Sequence, residues 1–293
     1  MRRCFLSVAL SFLILSACGP PRQDRIIIGS KNFTEQAVLG EIFAQRLEAT
    51  TKLHVERRFY LAGTFLCQQA LLSGRIDVYP EYTGTALTAI LKERSQGAAS
   101  EVYGRVKSEY ARRFGFTVGP ALGFNDTFAI EIRGEDARRL GVETISEAAH
   151  YTPQWRPGFG YEFMERPDGY KGLVAAYGLR FAAQPRIMDL GLLARALKEK
   201  QVDLIAGNTT DGLVPALDLF VLRDDRNYFP PYEAVAVIRG ETLARHPEVG
   251  QALDALAGTN SDKEMQRLNY AVDGEHRDVK EVVREFLRNK GLE

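Results

Sequence analysis

The sequence predicts an α/β protein whose strands form a mostly parallel sheet. Two short segments, Arg25–Gly29 and Val55–Leu61, are predicted to be strands, and the segment from Thr34 to Ala49 between them carries an apolar stripe at helical spacing. Strand and helix keep alternating, and the pattern restarts near Phe124, so two α/β units follow one another. This alternation favours parallel strands that are covered by helices on both faces.

The remaining elements follow from apolar periodicity and from Gly and Pro punctuation. In the first unit these are a helix over Thr64–Leu72, a strand containing Ile76 and Val78, and helices near Thr85–Lys92 and Glu101–Phe114. In the second unit they are a strand around Phe128–Ile132, a Gly-rich and aromatic loop at Trp155–Phe163, helices near Gly169–Tyr177 and Leu190–Glu199, and strands at Val202–Ala206, Asp218–Leu222 and Ala234–Ile238. The tail is predicted to be helical, with a capping box from Ser261 to Glu264 and a last helix over Val279–Leu287.

The stretch Ile76–Thr85 is the most informative local pattern. Pro80 has no N–H to donate, so we expect it to end the strand and to leave the following turn exposed at the edge of the sheet. Ligands bind beyond the carboxyl ends of the strands in open α/β sheets. The acid, phenol and hydroxyl groups of this turn are therefore the first binding-site candidates: Glu81, Tyr82, Thr83 and Thr85. The alternative is that the tyrosines are half-buried packing residues and the acid a solvated turn residue.

The first 17 residues have the pattern of a secretory signal peptide. Two arginines precede the apolar run Phe5–Leu15, which is shorter than the roughly 20 residues that a membrane-spanning helix needs. The tetrapeptide Leu-Ser-Ala-Cys that follows resembles a bacterial lipobox, which implies a lipidated Cys18; plain cleavage near Ala17 is the alternative. Residues 18–24 would then form a tether. The protein is expected to be periplasmic or at the cell surface, lipid-anchored to a bacterial membrane.

Composition gives no indication of a nucleic-acid partner, and the predicted processing leaves no pair of cysteines for an intramolecular disulfide. The chain has 38 Lys and Arg against 38 Asp and Glu, so it lacks the excess of basic residues typical of nucleic-acid binding. Without residues 1–17 it keeps 276 residues and a formal charge of −2, which suits one large or two medium domains. Apart from Cys18, Cys67 is then the single cysteine. It lies in an apolar helical run and is predicted to be a buried, inert thiol rather than a nucleophile.

Local sequence motifs for catalysis and metal binding are missing. No two of the four histidines lie within a helical turn of each other, and the sequence contains neither a phosphate loop, nor a nucleophile elbow, nor a complete dinucleotide fingerprint. Lys31 as an amine or Glu81 as a general base would each act without a partner visible in the sequence. The sequence therefore predicts no metal site, no cofactor and no enzyme, with an enzyme built on one of these two residues as the alternative.

Seven longer segments occur in one order over nearly the whole mature chain. They are G-S-K-N-F-T-E-Q from Gly29, D-V-Y-P-E-Y-T-G-T-A from Asp77, G-F-N-D-T-F-A from Gly123, F-G-Y-E-F with R-P-D-G-Y from Phe159, T-D-G from Thr210, F-P-P-Y from Phe229 and L-N-Y-A-V-D from Leu268. Together they resemble the substrate-binding proteins of osmoprotectant ABC transporters, which bind glycine betaine, choline, carnitine and similar quaternary amines.

The resemblance implies a two-lobed clamshell of the type II periplasmic binding protein class. Each lobe would be a mixed, mostly parallel sheet flanked by helices, with residues 25–127 in lobe 1, residues 128–228 in lobe 2 and a return to lobe 1 at residues 229–293. The ligand would lie in the cleft between the lobes. The protein would be a monomer that hands its solute to an inner-membrane permease driven by a separate ATPase.

The resemblance also implies which residues form an aromatic cage. A trimethylammonium group donates no conventional hydrogen bonds, and the negative faces of aromatic rings hold it. Tyr82 matches a cage tyrosine of the family, and Thr85 a neighbouring polar contact. Tyr228 and Tyr232 flank two prolines and are further candidates for a wall of the cage. Register leaves open which of these two tyrosines faces the ligand.

The carboxylate of a betaine needs donors at its other end. Lys31 resembles a carboxylate contact of the family in lobe 1, and Arg166 in R-P-D-G is a second candidate in lobe 2. One donor on each lobe would favour closure, because full contact is made only in the closed state. The alternatives are a solvated loop lysine and a surface salt bridge.

Two positions depart from the family pattern. Phe128 stands where the family often has tyrosine, which keeps the ring and loses the hydroxyl, and Asn208 stands where many relatives have tyrosine. Such a cage would bind a simple quaternary ammonium more weakly or would accept another zwitterion, such as an ergothioneine-like compound or an amino acid. A ligand sensor for a signalling partner, built on the same scaffold, is a further alternative.

Overall fold

The structure is a computed structural model, and it describes residues 24–94 and 97–293. The predicted signal peptide and the lipidation site Cys18 lie outside the described residues. Within the described part of the chain, no helix is both long enough and apolar enough to cross a membrane.

The described residues form ten strands, which belong to two five-stranded sheets. In chain order these are β1 Arg25–Gly29, β2 His54–Arg58, β3 Val78–Tyr82, β4 Phe116–Val118, β5 Phe128–Arg133, β6 Pro157–Phe159, β7 Arg186–Ile187, β8 Leu204–Asn208, β9 Leu219–Leu222 and β10 Ala234–Arg239.

Helices cover the two sheets and connect their strands. In chain order the α-helices are α1 Thr34–Thr50, α2 Thr64–Leu72, α3 Thr83–Thr85, α4 Ala99–Phe114, α5 Gly134–Leu140, α6 Ile145–Ala148, α7 Tyr161–Glu165, α8 Tyr170–Tyr177, α9 Leu190–Lys198, α10 Leu213–Ala216, α11 Gly240–Arg245, α12 Pro247–Asp254, α13 Asp262–Asp273 and α14 Val279–Lys290. A π-helical turn at Ala86–Ile90 follows α3, and a 3₁₀ turn occupies Thr152–Gln154.

The two sheets share one topology. The strand order is β2-β1-β3-β10-β4 in the first sheet and β7-β6-β8-β5-β9 in the second. In the first, β1 pairs parallel with β2 and β3, and β10 pairs antiparallel with β3 and β4. In the second, β6 pairs parallel with β7 and β8, and β5 pairs antiparallel with β8 and β9. Four strands of each sheet therefore run in one direction and one runs against them, which confirms the predicted two-lobed, mostly parallel α/β fold.

The exchanged strands explain how the chain links the lobes. The antiparallel strand of the second sheet, β5, is the first strand after β4 of the first sheet, and the antiparallel strand of the first sheet, β10, is the first strand after β9 of the second. The chain thus enters and leaves the second lobe once each. Sheet membership is compatible with the predicted boundaries at residues 25–127, 128–228 and 229–293, which remain predictions.

The apolar stripe predicted on helix α1 packs into the core of the first lobe. Val38, Ile42 and Phe43 belong to a buried cluster that also contains Ile28 of β1 and Phe286 of α14. Burial of side chains of this size contributes roughly 1.5–3 kcal/mol each. Because α1 follows β1 directly, its first turn and the Gly29–Phe33 loop are fixed at the carboxyl end of that strand.

Pro80 does not end its strand, contrary to the sequence prediction. β3 continues to Tyr82, and Ala236 of β10 lies opposite the proline. The Thr83 N–H donates to the Glu233 carbonyl, so the alternation of antiparallel hydrogen bonds turns the Pro80 nitrogen away from β10. On its other side β3 pairs with β1 only at Val78, so the missing N–H leaves no ladder bond unmade.

Three short strands were not predicted from the sequence. β4 and β6 have three residues each and β7 has two, which is too short for a period of two residues to be visible. The prediction of an irregular aromatic loop at residues 155–163 was therefore wrong. This segment contains β6 and the start of α7. Cys67 is buried in α2, as predicted, and burial raises the pKa of its thiol to about 12.

Candidate ligand-binding site between the lobes

A cavity of about 200 Å³ lies where the carboxyl ends of parallel strands from both sheets face each other. The loop after β1 and the end of β3 contribute to it from the first lobe, and the loop after β6 and the end of β8 contribute from the second. This is the position at which open α/β sheets bind ligands. Its lining residues are Lys31, Asn32, Phe33, Ala62, Gly63, Tyr82, Thr85, Asp126, Phe128, Gly160, Tyr161, Glu162, Phe163, Arg166, Asp189, Leu190, Asn208 and Tyr232.

The cavity brings together seven of the eight ligand-binding residues predicted from the sequence. The exception is Tyr228, which packs edge-on against Phe229 with 5.0 Å between the ring centroids. It lines a separate space with Lys92 and Arg94. Tyr232, the other member of this tyrosine pair, lines the cavity.

Lys31 lies in the cavity wall as half of a buried ion pair. Its Nζ donates to the carboxylate of Glu81, and both side chains are almost completely buried. Glu81 also accepts from the Tyr79 hydroxyl at 3.2 Å and from the Tyr82 N–H at 2.8 Å. The prediction of an exposed Glu81 in a turn is wrong, because β10 keeps this part of β3 inside the sheet. The ammonium group also lies 5.0 Å from the ring centroid of Tyr82.

Arg166 is held in the opposite wall. Its Nε donates to Asp168 Oδ1 at 2.9 Å and its Nη2 donates to the other oxygen, while its Nη1 donates to Thr85 Oγ1 in the first lobe at 3.0 Å. Its guanidinium carbon lies 4.6 Å from the ring centroid of Phe128 and 5.7 Å from that of Tyr232. Burial opposes the charge of Asp168, but the attraction of Arg166 and its hydrogen bonds keep the pKa of that carboxyl below its usual value.

Aromatic rings form the apolar part of the wall. Phe33 stacks on Tyr82 with an interplanar angle of 19° and 6.5 Å between centroids. Phe128 makes edge contacts with Phe163 at 4.8 Å and with Tyr232 at 6.0 Å. Phe33 and Phe163 were missed in the sequence reasoning, although both lie inside the segments G-S-K-N-F-T-E-Q and F-G-Y-E-F that carry the resemblance.

One buried carboxyl group, that of Glu35, holds Tyr82, and a second, that of Asp126, lies next to Glu35. Glu35 accepts from the Tyr82 hydroxyl at 2.6 Å, from Thr210 Oγ1 at 2.5 Å and from Asn269 Nδ2 at 3.0 Å. Burial raises the pKa of Glu35. Burial, followed by the charge of Glu35, raises the pKa of Asp126 well above its usual value. Asp126 lines the cavity and was also missed in the sequence reasoning, since nothing in F-N-D-T-F distinguishes it from a turn residue.

Polar contacts cross the cleft between the two lobes. Besides Arg166–Thr85 and Glu35–Thr210, Glu162 Oε1 of α7 accepts from the Thr64 N–H at the start of α2, at 3.0 Å. Burial opposes the charge of Glu162, but attraction by Lys31 and Arg166 lowers its pKa. The lobes are therefore in a closed arrangement.

Two sheets of identical topology that close over a cavity lined by aromatic rings and ion pairs define the class of two-lobed substrate-binding proteins. The model of the OpuAC family, the substrate-binding domain of ABC-type glycine betaine transport systems, matches residues 24–289, and the chain belongs to this family. It is a substrate-binding protein of an ABC transport system.

Individual relatives match over almost the whole chain. The carnitine transport binding protein OpuCC of Listeria monocytogenes is 34% identical over 285 residues, which cover 95% of this chain and 92% of that protein. The ergothioneine transport permease/ergothioneine binding protein EgtU of Helicobacter pylori (strain G27) is 33% identical over 99% of this chain and 53% of that protein. The crystal structure of a glycine betaine/carnitine/choline ABC transporter aligns with a TM-score of 0.74 and 31% identity, over 91% of this chain and 99% of that chain.

Proposed function

We propose that the protein binds a small quaternary-amine or betaine-type solute in the cavity between its lobes and delivers it to the permease of an ABC importer, without acting as an enzyme on it. The observation that carries this proposal is that Lys31 from one lobe and Arg166 from the other line one cavity together with aromatic rings. A betaine needs both kinds of group, since its carboxylate requires cationic donors and its ammonium requires ring faces.

The two cations retain donors for a ligand. An ammonium group has three N–H bonds and a guanidinium has five, and the contacts described above use only part of each set. A carboxylate placed between Lys31 and Arg166 would therefore accept hydrogen bonds from the remaining N–H groups of both side chains. Because they belong to different lobes, the same carboxylate would also favour the closed arrangement over an open one.

The ring of Phe33, and the face of Tyr82 that is turned away from Lys31, would take the ammonium end. The hydroxyl of Tyr82 is already used by Glu35, so the side chain is fixed in orientation and offers its face. Cation–π contacts of this kind contribute about 0.5–2 kcal/mol each when they are desolvated. An ionised Glu162 in the cavity wall adds a negative charge that a cationic group would meet.

Anchoring and assembly complete the proposal. Lipidation of Cys18 would hold the protein at a bacterial membrane next to the permease, and a monomer would suffice for binding because both lobes come from one chain. The Leu-Ser-Ala-Cys tetrapeptide supports the anchor. Mass spectrometry of the protein from a bacterial membrane fraction tests it: a diacylglyceryl Cys18 supports the anchor, and an unmodified chain that starts after Ala17 contradicts it.

A different zwitterion on the same scaffold is the second proposal, and Asn208 favours it. This residue lines the cavity, and its side chain provides one amide group, with an acceptor and a donor, in place of an aromatic face. The similar Helicobacter pylori protein is named for ergothioneine rather than for an osmoprotectant. An ergothioneine-like compound therefore belongs among the ligands to be tested.

A thermal-shift screen of the purified protein tests both proposals. The panel is glycine betaine, choline, carnitine, ergothioneine and common amino acids, with N,N-dimethylglycine as the matched control for glycine betaine because it differs by one methyl group. A ligand that binds only the folded state raises the apparent melting temperature by mass action. We expect stabilisation by at least one quaternary amine and less by dimethylglycine than by its trimethyl counterpart. Stabilisation by amino acids alone would overturn the quaternary-amine proposal.

A further inference from the structure

A second cavity, of about 510 Å³, lies beside the first one between the two lobes. We call the cavity described above the first chamber and this one the second chamber. Both chambers are lined by the same five residues at their boundary: Asn32, Phe33, Asp189, Leu190 and Asn208. Five shared residues make the boundary a junction between two parts of one cleft.

Asn208 is one of the five residues at this junction. It is the last residue of β8 and lies opposite Phe128 in the sheet. Its side-chain amide makes no hydrogen bond to the described residues. A tyrosine at this position would place a ring at the boundary, whereas the asparagine leaves the two chambers in contact and offers both an acceptor and a donor to a molecule that passes between them.

The two chambers differ in charge. The first is lined by two basic residues, Lys31 and Arg166, and three acidic ones, whereas the lining of the second has no basic residue among the described residues and has four acidic ones. These are Glu35, Asp189, Asp211 and Asp273. Asp189, at the junction, is exposed, and its carboxylate has no hydrogen bond or ion pair in the described part of the chain. The first chamber therefore suits a carboxylate, and the second suits N–H or O–H donors.

A buried acceptor without a hydrogen bond in the second chamber also favours a ligand with N–H or O–H donors. Asn269 lines this chamber and is only 4% exposed. Its Nδ2 donates to Glu35 and to the Thr210 carbonyl, while its Oδ1 has no hydrogen-bond partner among the described residues. Buried acceptors without a donor are uncommon in folded proteins and call for an explanation.

Size gives an independent argument. Small-molecule sites usually have volumes of about 300 Å³ or more, and the first chamber alone, at about 200 Å³, is below that range. With the second chamber the site falls inside it. A ligand as small as glycine betaine would leave the larger of the two chambers without solute.

We infer that the ligand, on the basis of the function proposed above, is an extended betaine that occupies both chambers. Its carboxylate and quaternary ammonium group lie in the first chamber, and a side chain with N–H or O–H donors passes Asn208 into the second, where Asp189 and Asp211 accept its hydrogen bonds. Betaines of amino acids with a heteroaromatic or amide side chain are the chemical class that meets these requirements.

Calorimetry of the purified protein with two matched ligands tests this inference. Glycine betaine has the carboxylate and the trimethylammonium group alone, and histidine betaine adds an imidazole ring with an N–H donor. We expect histidine betaine to bind at least about tenfold more tightly, since one or two additional hydrogen bonds to charged acceptors have that effect. Asp189→Asn should reduce this preference, and Asn208→Tyr should abolish it.

Controls separate this inference from the proposed function. Asp254→Asn removes a carboxylate that lines neither chamber and should change neither affinity. Thermal unfolding of each variant identifies loss of folding. If glycine betaine binds as tightly as histidine betaine, and Asn208→Tyr leaves their ratio unchanged, the extended ligand is refuted and the proposed function stands. If neither betaine nor any other quaternary amine binds, both are refuted.

Discussion

The guanidinium of Arg166 lies 4.6 Å from the ring centroid of Phe128. The resemblance to osmoprotectant-binding proteins implies that Phe128 takes the place of a cage tyrosine for a ligand cation, but one face of its ring is already covered by a cation of the protein itself. Phe128 therefore acts as a platform that positions Arg166 between Asp168 and the cavity. Lys31 lies over the Tyr82 ring in the same way, at 5.0 Å from its centroid, so Phe33 is the ring of this stacked pair that has no cation of the described residues over it.

Replacement of Phe128 tests this platform. Phe128→Leu removes a cation–π contact worth about 0.5–1 kcal/mol and lets Arg166 move, so the affinity for a carboxylate-bearing ligand should fall by about two- to fivefold. Phe128→Tyr keeps the ring and should bind within about twofold of the wild type. Calorimetry with a betaine and with choline, which has no carboxylate, separates the two roles of the ring. An equal loss for both ligands would contradict a role through Arg166.

The buried pair of Lys31 and Glu81 makes a strong prediction about stability. Glu81→Gln leaves the ammonium group of Lys31 buried without a counter-charge, and loss of one partner of such a pair costs about 3–5 kcal/mol. Unfolding in urea measures the change. The double variant Lys31→Met with Glu81→Gln should recover much of that stability, because it removes both charges, while it loses ligand binding. A double variant as unstable as Glu81→Gln would show that the charge of Lys31 is not the cause.

Glu162 links the two lobes, and its removal should weaken closure. Its carboxylate accepts the Thr64 N–H at the first turn of α2, where a negative charge is favourable. Glu162→Gln keeps the shape and removes the charge, so ligand affinity should fall by about threefold to tenfold, and small-angle scattering should show a larger radius of gyration without ligand. Glu165→Gln, on the same helix, is the matched control. Unchanged scattering and affinity in Glu162→Gln would contradict the link.

The burial of the Glu131 carboxyl group should make the free energy of unfolding depend on pH. It is completely buried in β5, both of its oxygens lack a hydrogen-bond partner among the described residues, and burial raises its pKa well above the usual value. The folded protein therefore keeps a proton that the unfolded chain releases above about pH 4.3, so this group costs stability as the pH rises from there towards its folded pKa.

Glu131→Gln imitates the protonated form and tests this sign. The variant should gain stability relative to the wild type as the pH rises from 5 to 8, by up to about 1.4 kcal/mol per pH unit below the folded pKa. Chemical unfolding at both pH values measures the difference. A difference that is the same at pH 5 and pH 8 would mean that Glu131 is ionised in the folded protein.

The sequence predicted the elements that have a local pattern of sufficient length. The stripe of α1 and the apolar strands β1 and β10 were evident because burial imposes a period on consecutive residues. The burial of Glu81 and the continuation of β3 through Pro80 were not, because both depend on β10, which lies far along the chain. Tertiary pairing here overrides the local preference of proline.

The candidate site was predictable to the extent that motifs mark it. Lys31, Tyr82 and Arg166 fall in the segments that resemble the family, and the structure places them in one cavity. The partners that fix them were not all predictable: Asp168 shares the R-P-D-G segment with Arg166, but the contact of Glu35 with Tyr82 joins residues whose relation becomes visible only when α1 packs beside β3. The sequence likewise could not show which of Tyr228 and Tyr232 lines the cavity, because that depends on how the folded chain orients the two side chains.

The measurement that tests the central claim most directly is calorimetry of a matched pair of tyrosine variants with the best quaternary-amine ligand. Tyr82→Leu removes a ring that lines the cavity, and Tyr228→Leu removes a ring outside it. We predict that Tyr82→Leu weakens binding by about tenfold or more, because it loses a desolvated cation–π contact and a fixed wall, and that Tyr228→Leu binds like the wild type. Equal affinities of the two variants would contradict the placement of the ligand in this cavity.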